Sequence, residues 1–196
     1  MQFDFSRMKP VIAGLAAAIF CGCSTVQKTV PPTVPATDAK KIELRNNTAS
    51  LLNDLLGDEK NVSKVLIVKR NSAELGQLIK LISTVAGDGA KQLETLAKND
   101  PSLNLHALEL PTGEKAARAA VGKTKEHELL FNSGENFEFY LLLTQTEALS
   151  YGSHLAKVAA ENSPLPEQAR EFHVLDRTLD NLFQQVVAKM RALPRK

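Results

Sequence analysis

At 196 residues, with 43% hydrophobic and 23% charged side chains, the chain has the composition of one globular domain. Its 24 Lys and Arg against 22 Asp and Glu leave a formal charge of +2. Such a balance, without clustered Lys and Arg, excludes nucleic-acid binding by counterion release, so no nucleic-acid partner is expected. Aromatic residues are only 5% and Trp is absent, so the core must be aliphatic, which suits helix packed on helix. Both cysteines, Cys21 and Cys23, lie near the amino terminus, which excludes a disulfide framework and a Cys-ligated zinc site from the rest of the chain.

In chain order, Arg7 and Lys9 precede the ten-residue apolar run Val11-Ile-Ala-Gly-Leu-Ala-Ala-Ala-Ile-Phe20, half of the ~20 residues that a permanent transmembrane helix needs. A basic flank followed by a short apolar core reads as a secretory signal over residues 1–22. The next residues, Phe20-Cys21-Gly22-Cys23-Ser24, resemble the lipobox of bacterial lipoproteins, in which a small residue precedes a cysteine that is acylated before cleavage. Gly22 supplies the small residue and makes Cys23 the expected lipidation site; Cys21 is the poorer acceptor because bulky Phe20 precedes it. The family pattern usually has Leu, Val or Ile where Phe20 stands and Ala or Ser where Cys21 stands. The resemblance implies several acyl chains on Cys23, and at ~0.8 kcal/mol per buried CH₂ that anchoring is effectively permanent. Ser24, where Asp would retain a lipoprotein at the inner membrane, implies an outer-membrane address with the domain in the periplasm.

Residues 23–40 read as the lipidated cysteine and a Pro/Thr-rich tether, because Pro31, Pro32 and Pro35 leave no room for a helix among them. Extended in polyproline form it would reach at most ~50 Å. The helical domain is expected over 41–196. A short amphipathic helix is predicted over Ala49–Leu56, closed by Gly57. A long one follows from Asn61 to Lys98, with Val65, Val68, Leu75, Ile79, Ile82, Ala86, Leu93 and Leu96 at three-four spacing. Gly87-Asp88-Gly89 predicts a kink or break within it. Residues 99–111 read as a connection that caps one end of the core.

An Ala-rich helix is predicted from Thr112 to about Phe131, then a turn at Asn132-Ser-Gly-Glu135. The next helix places Phe137, Leu141, Thr144, Ala148, Tyr151, Leu155 and Val158 on one face and stops at Asn162-Ser-Pro-Leu-Pro166. The last carries Phe172, Leu175, Leu179, Leu182, Val186, Met190 and Leu193 in strict three-four spacing. These segments predict an all-α, up-and-down four-helix bundle with a short extra N-terminal helix.

The run Ala73-Glu-Leu-Gly-Gln-Leu78, the helix start Leu110-Pro111-Thr112, Phe137-Glu-Phe-Tyr140-Leu141 and the closing Leu-rich helix resemble an uncharacterised family of bacterial secreted proteins with a ferritin-like four-helix bundle, over about residues 61–192. That family tends to carry Asp-His pairs inside its helices; here the matching positions read Asp88-Gly89 and Glu147-Ala148, so both histidines are missing. A ferritin-like metal site needs inward carboxylates with Glu-x-x-His, and this sequence contains none. The nearest candidates are Glu74, Glu147 and His154, with Glu94 a further carboxylate; His127 between Glu126 and Glu128 cannot share a metal with its direct neighbours.

Other chemistry is poorly provided for. Gly122-Lys123-Thr124 has Ala117 where a phosphate-binding loop needs Gly, and Ser150 and Ser153 beside His154 lack a nucleophile elbow. His106 and His173 read as a loop residue and a bundle-edge residue. The expectation is therefore a membrane-anchored envelope lipoprotein whose bundle is a non-enzymatic binding or structural module, without cofactor, engaging an envelope protein or ligand. The alternatives are a ferritin-like metal-binding or oxidoreductase bundle and a bundle that holds a lipid or other apolar ligand.

Overall fold

The computed structural model describes residues 36–107 and 110–194, all within one unit, Val34–Lys196. The signal segment, Cys23 and residues 24–35 of the tether lie outside the described residues. Five long helices form: α1 (Ala36–Glu59), α3 (Ala73–Asn99), α4 (Thr112–Phe131), α5 (Gly134–Glu161) and α6 (Pro166–Arg191). A 3₁₀ turn, Val62–Lys64, and a single helical turn, α2 (Val65–Val68), join α1 to α3. No strand occurs among the described residues, so the protein is an all-α helical bundle that includes an N-terminal helix, α1. None of the described helices is long and apolar enough to cross a membrane.

Pairings along the helices fix their directions. Arg45 of α1 bonds Asp100 just past the end of α3, and Leu56 of α1 lies over Gly89, so α1 and α3 are antiparallel. Gln92 meets Glu171 and Glu74 meets Lys189, which makes α3 and α6 antiparallel. Ser153 bonds Asp176, and Gly152 packs against Leu52, Leu55 and Leu179, so α5 runs against both α6 and α1. The four helices thus close a ring in the order α1, α3, α6, α5, in which every neighbour is antiparallel. Since α3 and α5 point the same way, the chain must cross back between them. Residues 100–133, with α4, make that crossing.

The apolar pattern accounts for most of the core. Leu75, Ile79, Ile82, Ala86 and Leu93 of α3 and Phe172, Leu175, Leu179, Leu182 and Val186 of α6 are buried, as their three-four spacing requires. Leu103 and Leu105 of the connection after α3 are buried as well and cap the core.

Four expectations are corrected. First, α1 begins at Ala36, one residue past Pro35, so residues 36–40 are helix rather than tether; α1 has 24 residues and supplies Ala49, Leu52 and Leu56 to the centre of the core. Second, the 61–98 segment breaks at residues 69–72, while α3 runs unbroken through Gly87-Asp88-Gly89. The break is fixed by the α4–α5 junction: Lys69 Nζ donates to the Leu130 and Asn132 carbonyls, and the Ser72 amide donates to Glu138 Oε1 at 2.6 Å. Gly89 serves close packing instead, because a Cβ there would lie 3.0 Å from Leu175 Cδ2 and 3.1 Å from Leu56 Cδ1. Third, α4 buries no side chain and packs on α5 at the outside of the ring. Fourth, the buried face of α5 is wider than the expected one: Phe137, Leu141 and Leu155 are buried as expected, but Leu142, Gln145, Leu149, Gly152 and Ala156 turn inward as well, and Tyr151 is exposed toward α4. With α1 and α6 on one side and α4 on the other, α5 carries apolar residues on more than one stripe.

Candidate functional site

Two buried polar clusters and one cleft are the places where chemistry or binding could reside. Both clusters start from α1. Its apolar stripe, Ala49, Leu52 and Leu56, extends back by four residues to Arg45 and forward by three to Glu59, so the helix geometry carries both ionisable side chains into the bundle.

Arg45 is fully buried. Its Nη1 donates to Asp100 Oδ2 at 3.0 Å and to Gln168 Oε1 at 2.9 Å, and its Nη2 donates to the Ser102 carbonyl at 2.6 Å and to Ser102 Oγ at 3.1 Å. Asn46 Oδ1 accepts from Nε and Nη2, at 3.1 and 3.0 Å. Gln168 Nε2 returns a bond to Asp100 Oδ2 at 3.1 Å, while Asp100 Oδ1 accepts from the Ser102 amide and hydroxyl. Burial pulls the guanidinium pKa down, and the charge and hydrogen bond of Asp100 push back. For Asp100, burial works to raise the carboxyl, but bonds from Ser102 and Gln168 and the Arg45 charge outweigh it and hold the group below its ordinary range. The cluster fastens the amino-terminal half of α1, the end of α3 and the start of α6 to one another.

Beside it a cleft of about 770 Å³ opens between α3 and α6. Leu96, Leu165 and Pro166 give it apolar surface, and Gln92, Arg170 and Glu171 give it polar surface. That volume falls in the range of small-ligand sites. Gln92 Nε2 donates to Glu171 Oε2 at 2.6 Å, bridging the two helices.

The second cluster lies under α4. Gln145 of α5 is buried, its Oε1 has no hydrogen-bond partner among the described residues, and neither has Glu59 Oε2. Burial is the largest influence on Glu59 and raises its pKa; a hydrogen bond from Gln145 lowers it, Asp58 raises it and Lys125 of α4 lowers it. Lys125 is itself paired with Glu147.

The candidate ligands of a ferritin-like metal site do not come together. Glu74 is exposed in the first turn of α3 and pairs with Lys189 at 3.8 Å. Glu147 is exposed on α5 and pairs with Lys125, and exposed His154 donates from Nδ1 to the Ser150 carbonyl at 2.8 Å. Glu94 is exposed on α3, and His127 stacks on Phe131 with ring centroids 4.3 Å apart. Among the described residues no three His, Cys, Asp or Glu side chains are grouped to hold a metal ion. Ser153 is spent on Asp176 at 2.7 Å, away from His154.

Arg45, Glu59, Asp100, Gln145 and Gln168 were not singled out by the sequence pattern, although a signal existed. Each of Arg45, Glu59, Gln145 and Gln168 sits where an apolar stripe continues at three-four spacing into a polar residue, as Gln168 does four residues before Phe172. Compared with known proteins, the chain matches no family model, no curated protein and no solved structure.

Proposed function

We propose that the protein is a bacterial envelope lipoprotein, held by a lipid on Cys23, most consistently at the outer membrane with its domain in the periplasm, and that its bundle is a non-enzymatic binding or structural module. The observation that carries the module reading is how the buried polar groups are used. Arg45, Asp100, Gln168, Ser102 and Ser153 with Asp176 are spent on fastening helices to one another, which is structural work. The cleft between α3 and α6 is the natural seat for a ligand or a partner segment. Antiparallel ring packing with one long crossover between α3 and α5 is the connectivity of ferritin-like bundles and supports that likeness in shape alone.

Anchoring is tested by expressing the full chain with an alkyne fatty acid, then separating membranes on a density gradient. The expected result is a labelled protein in the outer-membrane fraction and an unlabelled, unprocessed Cys23→Ser variant. Label retained in Cys23→Ser, or a soluble unlabelled wild type, would end the lipoprotein reading. The module reading fails if the purified protein turns over substrates in a broad hydrolase and oxidase screen and loses that activity when His154 is replaced.

A further inference from the structure

Two segments far apart in the chain carry equal and opposite charge. Residues 60–72 hold Lys60, Lys64, Lys69 and Arg70 and no Asp or Glu; residues 126–138 hold Glu126, Glu128, Glu135 and Glu138 and no Lys or Arg. The fold joins them in a seam at the end of the bundle where α3 and α5 begin. Lys69 Nζ donates to the Leu130 carbonyl and, at 2.9 Å, to the Asn132 carbonyl, and the Ser72 amide donates to Glu138 Oε1 at 2.6 Å. Each of these ties has a backbone group on one side, so the seam closes without setting the two groups of charged side chains against each other. Among the described residues Lys60, Lys64, Arg70, Glu126 and Glu128 make no ion pair.

The seam also exposes apolar side chains. In the single turn of α2, Val65 and Leu66 pack against the core, and Ile67 is left 83% exposed, because one turn cannot bury residues on every side of itself. At the end of α4, Leu129 is the residue that packs inward, and Phe131 is left 75% exposed. Lys69 stands two residues from Ile67 and bonds the carbonyls on either side of Phe131, so one lysine places both apolar residues in the same patch.

An exposed apolar patch rimmed by polar residues marks an interaction surface. The rims select the occupant. A surface of one sign, such as an anionic bilayer, is drawn to the basic rim and repelled by the acidic one, since the two segments cancel. A patch that reads basic, apolar and acidic across its width is instead complementary to its own copy. About a two-fold axis the basic rim of each copy meets the acidic rim of the other, every contact is made twice, and the apolar centres cover one another.

We propose that this seam is the contact surface between two copies of the chain, with Ile67 and Phe131 of each copy at its centre and Lys64 and Arg70 of one facing Glu126 and Glu128 of the other. The interface stands independently of lipid anchoring.

Photo-crosslinking of the full chain in intact cells tests it. A photoreactive residue in place of Ile67 or of Phe131 should give a covalent product of twice the chain's mass, and the same residue in place of Val174, exposed on α6, should give none. Lys64→Glu with Arg70→Glu makes both rims acidic, and Glu126→Lys with Glu128→Lys makes both basic. Either pair of changes sets like charges together in both halves of the contact and should lower the product formed in place of Ile67 by about tenfold or more. None of the four side chains is buried, so both variants should keep the wild-type circular dichroism spectrum. Co-expressing the two variants under different tags should restore the product, formed only between unlike tags, because an all-acidic copy then meets an all-basic one. Crosslinks to lipid or to another protein in place of the doubled chain, an equal yield at Val174, charge reversals without effect, or a mixture that restores nothing overturns the proposal.

Discussion

Replacing Arg45 with Leu removes the centre of the cluster at the amino-terminal end of α1. The side chain is fully buried and its donors serve Asp100, Gln168, Ser102 and Asn46. Truncating one partner of a buried ion pair costs ~3–5 kcal/mol, because the remaining charge is left without compensation. Asp100 is cushioned: its side chain keeps 12% exposure and still accepts from the Ser102 amide and hydroxyl and from Gln168. The lower end applies, about 3 kcal/mol, and Leu restores part of the lost packing without restoring a bond. For a domain of this size each kcal/mol shifts Tm by ~2–4 °C, so a fall of about 6–12 °C is expected in thermal unfolding followed by circular dichroism, with a matching drop in the urea midpoint. The sign with pH follows from Asp100. Its folded pKa is depressed, so its contribution is present above the unfolded carboxyl pKa of ~3.9 and is lost as the pH falls through the folded value. The gap between wild type and Arg45→Leu should therefore be full near neutral pH and narrow below about pH 4. A loss under about 1 kcal/mol at neutral pH, or a gap that widens in acid, would refute the assignment of this cluster as a fastening for α1.

Two glycines should respond in opposite senses. Gly89→Leu forces a side chain between Leu56 and Leu175 and should cost ~1–3 kcal/mol in urea unfolding, whereas Gly122→Ala, with open space around it on α4, should slow exchange of the α4 amides by a gain of up to ~1 kcal/mol in helix propensity. Leu52→Ala should cost ~2–5 kcal/mol, because α1 belongs to the core; a loss near that of an exposed site, under ~0.5 kcal/mol, would place α1 outside it.

The legible elements were those in which one helix face is apolar over several turns. For α3 and α6 the three-four spacing of Leu, Ile and Val identifies both the helix and its buried side, because a stripe hydrophobic over four turns has no favourable exposed arrangement. α1 was legible only over its last turns, since its earlier buried positions are Arg45, Thr48 and Ser50. Read along the chain those are surface residues; Arg45 becomes a core residue because Asp100, Ser102 and Gln168, 55 to 123 positions away, supply its partners, Ser50 because the Asn104 carbonyl and the Ala107 amide bond its hydroxyl, while Thr48 bonds back to the Leu44 and Arg45 carbonyls of its own helix. α4 failed in the other direction: its Ala-rich sequence read as one of the helices of the bundle, yet the ring closes without it. The candidate metal ligands failed because Glu74 and Glu147 are exposed and paired with Lys189 and Lys125, and helix spacing alone does not fix which side chains converge.

From the residues alone came the helical class, the buried stripes of α3 and α6, and the aliphatic character of the interior, all consequences of local periodicity and of removing apolar surface from water. Tertiary structure decided which four helices make the ring, where the chain breaks between α2 and α3, and which ionisable groups are buried. Those outcomes depend on polar side chains finding partners far along the chain, and the free energy of such a pairing exists only once both partners have been brought together.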